Sequence, residues 1–137
     1  MSAMRASTLL AMLGLGALVA ACSGSTCPDL IVEPIRITHV DVRIMESLPP
    51  QVLVHVEGVL GDACAEINSV TESRLGRRIT IAVLRERPRD AICAQIAKLY
   101  EEDVLLEGTY PAGEYVLRVN DYETTFTTES LEPVRRP

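Results

Sequence analysis

The chain has 137 residues, with 13 lysines and arginines against 19 acids and a formal charge of −6. Twenty-one residues precede Cys22; the 116 that remain are enough for one domain and too few for two, which excludes a multidomain enzyme. The acidic balance also excludes a nucleic-acid partner, because neutralising phosphates takes concentrated positive charge.

Residues 1–21 carry one cation, Arg5, then an apolar stretch from Leu9 to Ala20 broken only by Gly14 and Gly16, then small residues before Cys22. This is the grammar of a signal peptide. About a dozen apolar residues fall short of the roughly 20 that a permanent membrane helix needs. The junction Leu18-Val19-Ala20-Ala21-Cys22 resembles a bacterial lipobox, with Val19 where leucine is commoner. The resemblance implies cleavage before Cys22 and lipidation of its thiol, plain secretory cleavage being the alternative. Several acyl chains, at about 0.8 kcal/mol per buried methylene, hold a protein durably on a bilayer. The expected partner is therefore a membrane, reached through the lipid on Cys22. The expected location is the extracytoplasmic face of the cell membrane, or the outer membrane if the cell has one, since Ser23 rather than aspartate follows the cysteine. Residues 22–29 read as a lipidated tether, because Ser23-Gly24-Ser25-Thr26 is polar and flexible.

From Leu30 onward the apolar period is two, which argues sheet. Val40, Val42 and Ile44 alternate with Asp41, Arg43 and Met45, and Val52, Val54 and Val56 with Leu53, His55 and Glu57, while Ser47-Leu48-Pro49-Pro50 separates the two runs. A less regular run covers Glu66 to Ser73. Ile79, Ile81 and Val83 form another, and Val104 and Leu106 precede Gly108. Tyr115, Leu117 and Val119, then Tyr122, Thr124, Phe126 and Thr128, predict a hairpin about Asn120-Asp121. About seven short strands at this spacing point to an all-β, antiparallel sandwich over residues 30–128. One or two turns of helix are expected within Asp90 to Tyr100, where helix formers cluster. Residues 129–137 read as a loose tail.

Cys22 is assigned to lipid, leaving Cys27, Cys64 and Cys93. In an exported chain, cysteine pairs are expected to be disulfides rather than metal sites. Cys64 and Cys93 both lie in connections within the domain, whereas Cys27 lies in the tether, so Cys64 with Cys93 is the favoured bridge. Cys27 paired with either is the rival connectivity. Cys93 as a nucleophile would need a histidine or a helix start to lower its pKa, and only His39 and His55 exist, both far upstream in sequence.

Gly61-Asp62-Ala63-Cys64, the strand Ile79-Thr80-Ile81-Ala82-Val83, Arg87-Pro88, Ala91-Ile92-Cys93-Ala94-Gln95 and Pro111-Ala112-Gly113-Glu114-Tyr115 occur in that order. The arrangement is similar to a group of mostly uncharacterised bacterial lipoprotein or secreted domains of immunoglobulin-like sandwich type, over about Gln51 to Thr128. The resemblance implies an immunoglobulin-like fold and a bridge between the two cysteine segments, and it brings no catalytic residues. At Gly113-Glu114-Tyr115, a tyrosine at a strand start can bury its ring between sheets while its hydroxyl bonds the preceding corner, which makes Gly113 and Tyr115 structural.

No phosphate loop, nucleophile elbow or paired-histidine motif occurs. Strand alternation sends Glu101 and Asp103 to one side and Glu102 to the other, as a solvated edge would. His39 and His55 read as surface residues. Arg74, Arg77 and Arg78 around Gly76 read as solubilising turn charges, with recognition of an anionic partner as the alternative. No enzyme, cofactor or metal is expected. The expected role is a non-catalytic binding or envelope-structural module with an envelope protein as partner; an inhibitor or accessory subunit of an envelope enzyme is the alternative. The loops Gly61 to Cys64 and Pro88 to Cys93 offer the natural surface.

Overall fold

Val52, Val54 and Val56 alternate with Leu53, His55 and Glu57, and this run lies in the middle strand of a three-stranded sheet. The computed structural model describes residues 29–129 and contains eight strands. They are β1 (Leu30–Pro34), β2 (Arg36–Met45), β3 (Gln51–Gly61), β4 (Glu66–Leu75), β5 (Arg78–Pro88), β6 (Lys98–Leu105), β7 (Gly113–Val119) and β8 (Tyr122–Thr128). Strands β2, β3 and β6 form one sheet in that order, and β1, β4, β5, β7 and β8 form the other. The sheets face each other over a core built by alternation: Val52, Val54, Val56 and Leu60 from β3, Ile79, Ile81 and Val83 from β5, and Tyr115, Leu117 and Val119 from β7. This is a β-sandwich.

Strand β5 organises the larger sheet. Its first edge pairs with β4 over most of its length. Its second edge is shared, with β7 running parallel to it over Arg78–Ile81 and β1 antiparallel over Leu84–Pro88. Asn120 fills the gap. Its backbone N–H donates to Ile81 O, its Oδ1 accepts from Val83 N–H, and its Nδ2 donates to Val83 O and Ile35 O. Asn120 reaches this position with φ of 51°, a left-handed conformation that asparagine tolerates better than most residues. Ile35, the single residue between β1 and β2, is where the chain leaves the larger sheet for the smaller one.

Three expectations are corrected here. Among the described residues there are eight strands rather than about seven, because Leu30–Pro34 pairs as a strand of its own. The sandwich is not purely antiparallel, because β5 and β7 run parallel. The helix expected within Asp90 to Tyr100 is absent: residues 90–97 are irregular and β6 begins at Lys98. The carbonyl of Ala94, which a helix would give to residue 98, accepts instead from Ala63 N–H. The leader, Cys22, Cys27 and the tail from residue 130 lie outside the described residues.

Candidate functional site

Two irregular segments meet at one end of the sandwich. Gly61 ends β3 with φ of 124°, after which Asp62 Oδ1 accepts from Cys64 N–H and Asp62 O accepts from Ala65 N–H, closing a tight turn. The second segment, residues 89–97, carries β5 across to β6. Cys64 and Cys93 are bonded, with Cα atoms 5.6 Å apart and a sequence separation of 29. This is the favoured pairing, and it excludes Cys27 as partner of either and a Cys93 thiolate nucleophile. Ala63 N–H to Ala94 O adds a backbone bond beside the bridge, and Arg89 pairs with Asp29 through both backbone and side chain. The held segment exposes Ile92 fully and Ile96 largely, shortly before the exposed Leu99, the second residue of β6.

Behind this segment the core changes character. Along β5, positions 79, 81 and 83 are buried isoleucines and valine, and the same inward phase continues into Arg85 and Arg87. Arg85 donates through Nη1 to Leu60 O at 2.6 Å, tying the two sheets together, and through Nη2 to Glu33. A Cβ on Gly61 would collide with that guanidinium, so the glycine makes room for Arg85. Arg87 pairs through Nη1 with Asp62 at 3.1 Å. Both side chains are largely covered, 21% and 29% exposed, and Asp62 is only 8% exposed. The Nε atoms of Arg85 and Arg87 are buried and have no acceptor among the described residues. The two guanidiniums, Asp62, Gln95 and Ile96 line a cleft of about 400 Å³. A larger cleft of about 570 Å³ lies over Pro34 and Leu84, where β7 gives way to β1, and Arg118 beside it donates to the Asn120 carbonyl.

The opposite end is closed by aromatics and arginines. Tyr115 is fully buried, its hydroxyl donates to Pro111 O at 2.8 Å, and its ring stacks on Phe126 and meets Tyr110 edge-on. Gly113, with φ of 140°, lies against the Arg77 guanidinium, which covers the Tyr115 ring and donates to Ala112 O. Arg74 covers the Tyr110 ring at 4.5 Å and donates to Thr109 O, while Arg78 pairs with Glu123. Arg74 and Arg77 tie the β4–β5 turn to the loop before β7, Arg78 makes an exposed pair with β8, and all three stay exposed to solvent. Burial and the Glu72 carboxylate push the Tyr110 hydroxyl pKa up.

His55 is also more engaged than a surface histidine. On the outer face of the smaller sheet, strand register sets it opposite Asp41 on β2 and Asp103 on β6. Its Nδ1 lies 2.7 Å from Asp103, and its Nε2 lies 3.5 Å from Glu57 and 3.6 Å from Glu101. The hydrogen bond to Asp103 chiefly raises its pKa. Glu101 and Asp103 do share a side, while Glu102, on the other, accepts from the buried Tyr100 hydroxyl, and that environment holds the phenol well above its ordinary pKa. His39 is exposed opposite Glu57.

Arg85, Arg87 and the His55 group were missed from sequence. The arginines continue the 79-81-83 phase and so were legible as inward-facing; the His55 group needs the register of three strands and was not.

Comparison with known proteins agrees with this architecture. Residues 54–128 match the family model described as the ORF11 beta-sandwich domain, a span from within β3 to the end of β8. An uncharacterized 10.2 kDa protein in the HgiCIIM 5' region of Herpetosiphon aurantiacus is 38% identical over 85 residues, covering 62% of this chain and 90% of the relative. A second, in the HgiBIM 5' region of the same organism, is 35% identical over 75 residues, covering 55% of this chain and 92% of the relative. No solved structure matches. On the family match and the two-sheet architecture together, the chain belongs to the ORF11 beta-sandwich domain family.

Proposed function

We propose that this chain is a lipid-anchored, extracytoplasmic binding module of immunoglobulin-like type, which acts without catalysis and engages an envelope protein through its stapled end. The observation that carries this reading is the Cys64–Cys93 bridge, which holds an irregular segment with Ile92 and Ile96 turned to solvent. Ordering a free loop of this kind would cost affinity at the moment of binding, and the bridge imposes that order beforehand. A bridged pair also fits an oxidising compartment. The immunoglobulin-like assignment draws on the Tyr115 hydroxyl bond to Pro111, which has the form of a tyrosine corner. The non-catalytic assignment draws on the bonded state of Cys93 and on His55 being held by carboxylates on the outer face of the smaller sheet.

The lipid on Cys22 gives the surface a setting. Asp29 pairs with Arg89 at the stapled end, and the seven residue-to-residue steps from Cys22 to Asp29 span at most about 25 Å when extended. Ile92 would then work close to the bilayer. Its full exposure also favours the second reading, an inhibitor or accessory subunit that inserts this tip into a partner.

A photocrosslinking residue at position 92, compared in cells with one at the exposed Leu75 of the opposite end, tests the surface. A discrete protein adduct from position 92 alone is the expected result. Equal adducts from both positions, or a lipid adduct only, would remove the protein-binding reading. Metabolic labelling with an alkyne fatty acid should mark the wild type and fail to mark Cys22→Ala.

A further inference from the structure

We infer that the cleft between Arg85 and Arg87 is a carboxylate-binding site, receiving an aspartate or glutamate side chain or a chain-terminal carboxylate of the partner. This rests on the binding reading above and names the chemistry that the stapled end recognises. The first ground is the break in the inward row of β5: where Ile79, Ile81 and Val83 would be followed by another apolar residue, two guanidiniums stand between the sheets. Placing charge there is costly unless its donors are used. Those donors are only partly used. Arg85 spends Nη1 and Nη2 on Leu60 O and Glu33, and Arg87 spends Nη1 on Asp62. The Nε–H of each is buried with no acceptor among the described residues. Since both Nε atoms are covered by protein, a carboxylate entering the cleft is met by the Nη groups, of which Arg87 commits Nη1 to Asp62.

The second ground is the make-up of the cleft, which lies open to solvent. The cleft of about 400 Å³ is large enough for a side chain, with Ile96 and Ala97 supplying an apolar wall beside the two cations. Gln95 donates its amide to Cys93 O, which directs this wall residue toward the bridge. The Cys64–Cys93 bond and the Ala63–Ala94 hydrogen bond hold the roof, so the site requires little ordering on binding. The third ground selects the ligand's charge. Glu33 and Asp62 already neutralise much of the pair, and the chain carries a formal −6, so a single carboxylate is accommodated where a polyanion is repelled.

The test reads the arginine Nε–H resonances of the exported chain carrying Cys22→Ala, bridge intact, by ¹⁵N NMR during titration with N-acetylglutamate amide. Saturable shifts at Arg85 and Arg87 are expected at millimolar concentration, with none at the exposed Arg78. N-acetylglutamine amide, which has the shape without the charge, should produce none. N-acetylalanine supplies a chain-terminal carboxylate, and the tighter of the two acids identifies the source. Arg87→Lys keeps the charge without the paired donors and should weaken binding at least fivefold. Unsaturable shifts, equal response to the glutamine analogue, undiminished binding in Arg87→Lys, or tighter binding of inorganic phosphate would each overturn the site. The wild-type titration stands even if the variant does not fold. It also needs no partner: a null titration with a surviving crosslink at position 92 removes the carboxylate site and leaves the binding module, and the converse result does the reverse.

Discussion

The side-chain amide of Asn120 meets both backbone groups of Val83, accepting from its N–H at 2.9 Å and donating to its carbonyl at 3.0 Å. One side chain thereby stands in for a neighbouring strand at the place where β5 changes partners. The same Nδ2 also holds Ile35, so the amide fixes the point at which the chain passes between sheets.

Asn120→Gly keeps the left-handed backbone and deletes the amide, so it isolates this role. We expect a loss of about 2–4 kcal/mol, because Val83 N–H and Ile35 O would lose their partner, at about 1–3 kcal/mol for each group that stays buried, while Val83 O keeps its bond from Ile35 N–H. Asn120→Asp, which retains the acceptor only, should fall between. Urea denaturation measures both; a loss below about 0.5 kcal/mol for the glycine variant would show that water replaces the amide.

Closing the loop between Cys64 and Cys93 should contribute about 3–4 kcal/mol in the chain-entropy model. For a domain of this size that corresponds to a fall in Tm of roughly 12 °C or more on reduction. Thermal unfolding with and without reductant checks it, and Cys64→Ser with Cys93→Ser should unfold low and ignore the reductant.

The carboxylates around His55 favour its charged form, so its pKa is raised in the folded chain. A raised value means that the stabilisation is fully present below the ordinary imidazole pKa of 6.5 and is lost as pH rises through the folded value. The urea midpoint should therefore fall from mildly acidic to mildly alkaline conditions, and His55→Gln should flatten that part of the profile. Asp41, Glu57, Glu101 and Asp103 face this group from three strands. An unchanged slope in the variant would assign the pH dependence elsewhere.

Tyr115→Phe removes one hydroxyl bond to Pro111 and should cost about 1 kcal/mol. Gly113→Ala should cost more, because φ of 140° strains any side chain and the new Cβ meets Arg77. Adding Arg77→Ala should return the steric part of that cost but not the backbone part, and a double-mutant cycle separates the two.

Much of the sandwich was legible because alternation is a local property. Val52 to Val56 and Ile79 to Val83 announce their inner face without reference to any neighbour, and Asn120-Asp121 announces a turn. What stayed hidden depends on pairing. Nothing in Ile31, Ile35 and Ile37 distinguishes a strand that changes sheets from one that continues. The residues 90–97 favour helix by composition, yet the bridge at Cys93 and the bond to Ala63 hold them in an irregular path. Arg85 and Arg87 share the phase of the core, but a charged residue gives no apolar signal at an inward position. His55 becomes distinctive only when β2, β3 and β6 are aligned.

The shared edge of β5 has a mechanical consequence. β1 begins beside Pro88, whereas β8 ends beside Gly113, at the start of a strand parallel to β5, so residues 29 and 129 leave from opposite poles. Tension applied between them acts along the strand axes. The five β1–β5 pairings are then loaded together in shear instead of being peeled one by one, and the first strand acts as a clamp against extraction of the chain.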